Sequence, residues 1–276
     1  MATAQPLVFV PDPERPLAEI DPGYTADYDK ESARARLAVL GRELDDMQDY
    51  LYASRQHAVL VVLQGTDTSG KDGTIRDVFG HLDPLGCRVQ AFKAPSEVEL
   101  AHDFLWRIHQ VVPERGFIGL FNRSHYEDVL AVRVRNLAPR EVWERRYDHI
   151  NHFERLLTDS GTLVVKFFLH ISKDEQKARL QARAENTEKA WKIAPSDYED
   201  RKLWDEYQQA YQEALVRCHS AAAPWYIVPA NKKWFRNLAV ATVMHELFRN
   251  HVEGWRSQLE ARGREGLATL KRLGLA

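Results

Sequence analysis

Val59-Leu60-Val61-Val62-Leu63-Gln64-Gly65-Thr66-Asp67-Thr68-Ser69-Gly70-Lys71-Asp72-Gly73-Thr74 reads as a buried strand that runs into a phosphate-binding loop. The loop has the form G-x-x-x-x-G-K-D, from Gly65 to Asp72. Gly65 and Gly70 let the backbone curl, so that successive N–H groups, through Thr68, Ser69, Gly73 and Thr74, turn toward phosphate oxygens. Lys71 sets a point charge among those oxygens, and a helix starting near Gly70 adds the positive end of its dipole. Two residues depart from the ordinary nucleotide loop. Asp72 replaces the Ser/Thr whose hydroxyl touches magnesium, and Asp67 puts a carboxylate inside the loop. An acid there repels a bare phosphate, so it implies an intervening metal ion or an unusual phosphate donor.

A glycine-rich turn between strand and helix can be purely structural. Here the flanks supply the context that phosphate binding demands, with an apolar run before the loop and Ile75, Val78 and Phe79 at helical spacing after it. Further strands are expected at Cys87–Phe92, Gly116–Phe121, Leu163–Leu169 and Trp225–Val228. Helices are expected from about Asp29 to Ser54, from the Ser96-x-x-Glu99 capping box to about Val111, and from Pro139 along Trp143, Tyr147, Ile150, Glu154/Phe153 and Leu157. Others begin at the caps Ser172, Ser196 and Asn231, the last reaching about Asn250. This alternation predicts a three-layer α/β/α domain of nucleoside-kinase type, a parallel sheet with its site at the carboxyl ends of the strands. The expected organisation is a proline-bearing arm and helix over residues 1–56, a phosphotransferase domain over 57–250, and a glycine-bearing, frayed helical tail over 251–276.

Hydrophobic residues make up 44% of the 276, enough for a substantial core, and the formal net charge is −2. That balance argues against a general nucleic-acid binder. It hides an asymmetry: residues 1–60 carry 6 Lys+Arg against 11 Asp+Glu, which leaves +3 for the remainder and places any polyanion surface there. Cys87 and Cys218 are the only cysteines, so neither a disulfide framework nor a cysteine zinc site is expected. His149 and His152 lack a third ligand nearby, and His125 has no nucleophile to serve. The N-terminus has no basic region followed by an apolar run, and no stretch approaches the length needed to cross a bilayer. A cytoplasmic protein with no membrane partner is expected.

The third strand leads into Asn122-Arg123-Ser124-His125-Tyr126-Glu127-Asp128. Phosphotransferases of this type carry a magnesium-linked acid at the end of a neighbouring strand. Asn122 holds that place, Glu127 and Asp128 follow, and Arg123 can clamp phosphate bidentately. A helix start with paired acids is the plainer reading, but convergence with the loop at one sheet edge favours a site. Arg133 with Arg135, and Arg179 with Arg183, form basic pairs, the latter on one helical face. Lys189, Trp191 and Lys192 lie in a polar stretch, with Arg201 and Lys202 beyond it. Together these residues read as a mobile lid, about 179–203, that closes positive charge over a phosphate chain.

The segments Gly65–Thr74 and Asn122–Asp128, with Trp191-Lys192, Arg201–Tyr207 and Pro224-Trp225-Tyr226, resemble the polyphosphate kinase type 2 family over about residues 30–250. The resemblance implies a P-loop kinase fold, inorganic polyphosphate as donor and a nucleotide as acceptor, with Mg2+ as cofactor and Mn2+ as its substitute. It implies that Asp67 is tied to the metal and orients the acceptor's terminal phosphate, while Lys71, Arg123, Arg179 and Arg183 hold phosphates. Some members carry Asp at the place of Asn122, which makes Glu127 the second metal candidate here. Within the family the chain looks most like single-domain members that phosphorylate both AMP and ADP, with guanine nucleotides as the second acceptor class and a homo-oligomeric assembly. The alternatives are an ATP-dependent nucleoside or nucleotide kinase and a nucleotide- or polyphosphate-sensing scaffold without turnover.

Overall fold

The computed structural model describes residues 5–185, 195–273 and 275. Five strands are formed by Ala58–Gln64 (β1), Cys87–Ala91 (β2), Ile118–Asn122 (β3), Thr162–His170 (β4) and Trp225–Pro229 (β5). They pair in parallel in the order β2-β3-β1-β4-β5. Val61 of the central strand lies opposite Leu120 on one side and Val165 on the other.

All seven residues of β1 are buried, because helices cover both faces. Val59, Val61 and Leu63 face helices α1 (Lys30–Ser54) and, after α2 (Lys71–Val78) and the short α3 (Glu97–Leu100), α4 (Trp106–His109) and α5 (Ala131–Val134), contributions from the last third of the chain. Leu60 and Val62 face α6 (Arg140–Asp159) and, beyond α7 (Lys173–Glu185) and α8 (Pro195–Lys202), α9 (Trp204–Arg217). The first face is completed by α10 (Lys233–Arg249) and α11 (Val252–Arg272). Period-two alternation thus splits one apolar run between two cores, and each fully buried aliphatic contributes about 1.5–3 kcal/mol.

The expected α/β/α fold with a parallel sheet is the observed one. Asp29 caps α1 through a capping box with Ser32, and the predicted stripe on α6 is buried from Trp143 to Leu157. Three local expectations differ. The helix expected from Ser96 to Val111 breaks, because the Asp103 carboxylate accepts the Leu105 N–H (2.9 Å) and starts a new turn, while Val98 and Leu100 stay exposed. Asn231 does not cap α10; its side-chain oxygen accepts the Ser172 N–H (3.0 Å) and ties the starts of α7 and α10 together. Ser196 is not the N-cap position of α8; it lies within the helix, which already includes Pro195. The expected helical tail is present, Val252–Arg272, anchored by buried Trp255, whose Nε1–H donates to His57 Nδ1 (3.0 Å).

The arm pairs with the sheet edge: Phe9 exchanges both backbone hydrogen bonds with Ile227 of β5 (2.9 and 2.7 Å). Leu17 and Ile20 are buried beyond it, so the arm covers an edge that would otherwise present unpaired backbone groups. No helix among the described residues is long and apolar enough to cross a membrane.

Candidate active site

The loop at the carboxyl end of β1 is shaped by residues in left-handed conformations. Gly65 has φ +148° and Gly70 φ +108°, and Thr68, with a side chain, is held at φ +65°. A Cβ on Gly65 would lie 2.7 Å from Ser69 Oγ, and one on Gly70 would lie 1.8 Å from Arg236 Nη1. Both glycines are therefore fixed by neighbours as well as by backbone angle. Thr66 Oγ1, Thr68 Oγ1 and Ser69 Oγ are buried with no hydrogen-bond partner among the described residues. Three orphaned hydroxyls in one loop fit a segment built to bind oxygens that the protein itself does not supply.

Lys71 is the first residue of α2, and its Nζ donates to the carbonyls of Gly65 (2.6 Å) and Thr66 (3.2 Å). Burial, then the Arg123 charge, brings its pKa down to about 8. Thr74 is turned inward, its hydroxyl donating to the Gly70 carbonyl (3.1 Å). Asn122, the last residue of β3, donates from Nδ2 to Asp72 Oδ1 (2.7 Å). An amide opposite Asp72 avoids the repulsion that a second carboxylate would bring.

Arg123 joins the two acids of interest. Its Nη2 donates to Asp67 Oδ1 (2.5 Å) and its Nη1 to Glu127 Oε2 (3.4 Å), across the gap between the ends of β1 and β3. These carboxylates hold the guanidinium's pKa above its usual value, Glu127 foremost. Arg123 itself sits at φ +63°. The buried Gln64 amide, with its NH2 toward Glu127 Oε1 (3.1 Å) and its carbonyl toward Ser124, supports the same turn. Asp128 points elsewhere and pairs with Arg146 (2.9 Å), while burial raises its pKa to about 6.

Arg179 of α7 spends its whole fork on the protein. Nε donates to Glu175, Nη1 to the carbonyls of Thr68 and Ser69 (2.9 and 3.0 Å), and Nη2 to those of Ala230 and Asn231 (2.7 and 3.0 Å). It braces the loop from the side of β4 and β5. Arg183, one turn on, lines the cleft of about 860 Å³ that opens over the loop. Arg133 is not brought there: it donates to Tyr147 Oη (3.1 Å) and Glu213 (2.5 Å) and lies over the Trp143 ring at 4.7 Å. Lys189, Trp191 and Lys192 lie outside the described residues. Of the other lid cations, Arg201 donates to the Lys173 carbonyl (2.5 Å) and Lys202 pairs with Glu199 at the surface.

Sequence reasoning missed Arg236. It is 1% exposed on α10, its Nε and Nη2 both donate to Asn237 Oδ1 (3.0 and 2.7 Å), and it lines the same cleft beside Gly70 and Gly73. Burial, then the charge of Arg179, pulls its pKa down to about 10. A signal existed: α10 opens with Lys232, Lys233 and Arg236 and no acid in its first turn, although the helix dipole favours acids there.

A glycine loop between the central strand and its helix, faced by cations from the ends of β3, β4 and β5, defines a phosphotransferase of the P-loop class. The family model for Polyphosphate kinase 2 (PPK2) matches residues 27–253, and the chain belongs to that family. It is 54% identical to the AMP/ADP-polyphosphate phosphotransferase of Meiothermus ruber over 86% of this chain and 89% of that one. Against the ADP-polyphosphate phosphotransferase of Rhodopseudomonas palustris the identity is 42%, over 92% and 91%. Among solved structures, Polyphosphate Kinase 2 from Arthrobacter aurescens TC1 superposes with a TM-score of 0.85 at 41% identity, over 90% of each chain.

Proposed function

We propose that this protein transfers a phosphoryl group from inorganic polyphosphate to AMP and to ADP in the cleft over the Gly65–Lys71 loop. The observation that carries the reading is Arg123 held between Asp67 and Glu127, one acid from the loop and one from the β3 turn, at the mouth of a cleft that Lys71, Arg183 and Arg236 also line or approach. Such a site neutralises a chain of phosphates and leaves two carboxylates for a cation. The acceptor's terminal phosphate is already ionised near pH 7, so no general base is required, and positioning with charge placement supplies the catalysis.

The residues fit Mg2+. This ion takes one or two carboxylates and completes its shell with water and substrate phosphates. Asp67 and Glu127 meet that need, and among the described residues no cluster of three metal-type side chains competes for it. Mg2+ bound there would neutralise charge on the oxygens of the transferred group. Asp67 would hold it and orient the acceptor, Lys71 and Arg183 would hold donor phosphates, and Arg123 would move from its two acids to the transferred group. Arg179 would act through the loop it braces.

Luminescent detection of ATP tests this. Protein with ADP, Mg2+ and polyphosphate is expected to make ATP, and raising salt is expected to raise the KM for polyphosphate more than that for ADP, because exposed charge is screened beyond about 8 Å at physiological ionic strength. Failure to make ATP from polyphosphate at any salt concentration overturns the reading.

A further inference from the structure

Beneath the Arg123–Glu127 turn lies a buried charged cluster whose members do not line the cleft. Lys166 occupies the middle of β4 and is fully buried, between Val165 and Phe167. Its Nζ pairs with Glu154 of α6 and donates to Tyr126 Oη (3.0 Å) and to the Cys218 carbonyl (2.7 Å), so all three of its protons are used. Glu154, 3% exposed, accepts the Tyr126 hydroxyl proton at Oε1 (2.8 Å), and the same oxygen faces His125 Nε2 at 3.2 Å. The ammonium also lies 5.4 Å from the Tyr126 ring centroid and 5.3 Å from that of Trp225.

A buried ion pair is a poor source of stability, since apolar residues of similar volume commonly do as well or better. This one grips two consecutive residues, His125 and Tyr126, of a turn whose outer members are Arg123 and Glu127. Arg123 sits in the left-handed region, a strained conformation that persists only where the surroundings over-determine it. The Ser124 hydroxyl accepting the Tyr126 N–H (3.2 Å) and the Arg123 N–H donating to the Leu63 carbonyl (3.1 Å) fix the turn's start. At its far end Glu127 meets Arg123 and the Gln64 amide, and Arg146 holds Asp128, so the buried cluster supplies the contacts that fix the middle of the turn, His125 and Tyr126.

We infer that the Glu154–Lys166 pair, acting through His125 and Tyr126, is a positioning device that holds Arg123 and Glu127 in register with Asp67. The inference rests on the proposed function for its kinetic consequence, but the anchorage has a readout of its own. The test compares the wild type with Glu154→Gln/Lys166→Met, which removes both charges at once, and with Tyr126→Phe, which removes one hydroxyl from the cluster. Expected are thermal midpoints close to that of the wild type and faster amide exchange over residues 122–129. With them should come a kcat lowered about tenfold or more, because small misplacements of reacting groups are costly. The KM for polyphosphate should stay within about twofold, the pattern of a loss confined to the transition state.

Should the double variant fail to fold, Tyr126→Phe decides. Unchanged exchange over 122–129 and unchanged kcat in the folded variants overturn the inference. A wild type with no polyphosphate-dependent turnover would sink the proposed function instead, and the exchange comparison would still decide the anchorage.

Discussion

Lys71→Met is expected to lower phosphoryl transfer by about a hundredfold or more, the usual loss when a preorganised stabiliser of transition-state charge is removed. The Lys71 ammonium is buried beneath the loop, 2.6 Å from the Gly65 carbonyl and next to the Arg123 charge. It is positioned before substrate arrives, so phosphate oxygens meet a fixed cation. Folding should survive, and the thermal midpoint should hold or rise near neutral pH. The sign follows from the pKa: burial lowers it from 10.5 to about 8, so the charged form is disfavoured in the folded chain below that pH, and methionine removes the penalty. The same shift predicts a pH effect in the wild type. As pH rises through about 8 the free protein loses this cation, and kcat/KM for polyphosphate should fall. Bound phosphates favour the ammonium, so kcat itself should persist to higher pH. Near-normal turnover in a folded Lys71→Met would make the loop a structural turn.

Asp67→Asn is expected to slow transfer by about tenfold or more and to shift the magnesium dependence to higher concentration, as losses of metal-orienting groups do. Among phosphates a carboxylate is tolerable only with a cation between them, and here Asp67 is paired with Arg123 at 2.5 Å. Titrating Mg2+ against rate in both proteins separates two roles. A changed rate with an unchanged magnesium midpoint would make Asp67 the counter-ion of Arg123 alone. An unchanged rate would remove it from the site.

The fold was legible because its signals are local and strong. One apolar run before Gly65 fixes the central strand, and Asp29, Ser96 and Ser172 mark helix starts from a few neighbouring residues. The acids and the cation of the turn were legible too, from the Asn122–Asp128 string. What each cation does was not. Arg179 and Arg183 share a helix face and look equivalent, yet Arg179 is consumed by four backbone carbonyls, two in the loop and two after β5. Those partners lie more than 50 residues away, and no helical period encodes them. Arg133 looked like part of the same basic surface until α6 and α9 supplied Tyr147 and Glu213. Glu154 did leave a trace, a carboxylate within the apolar stripe of α6, but its partner Lys166 sits on another element. Buried charge pairs are written across the chain, and only packing brings their halves together.

The transferred group can be followed by its own nucleus. Phosphorus NMR of the protein with AMP, Mg2+ and polyphosphate as sole donor is expected to show ADP and then ATP resonances growing as polyphosphate is consumed. The Lys71→Met protein under the same conditions should leave both substrates unchanged on that timescale. Phosphorylation of AMP by ATP with none from polyphosphate would contradict the account, and so would equal transfer by the two proteins.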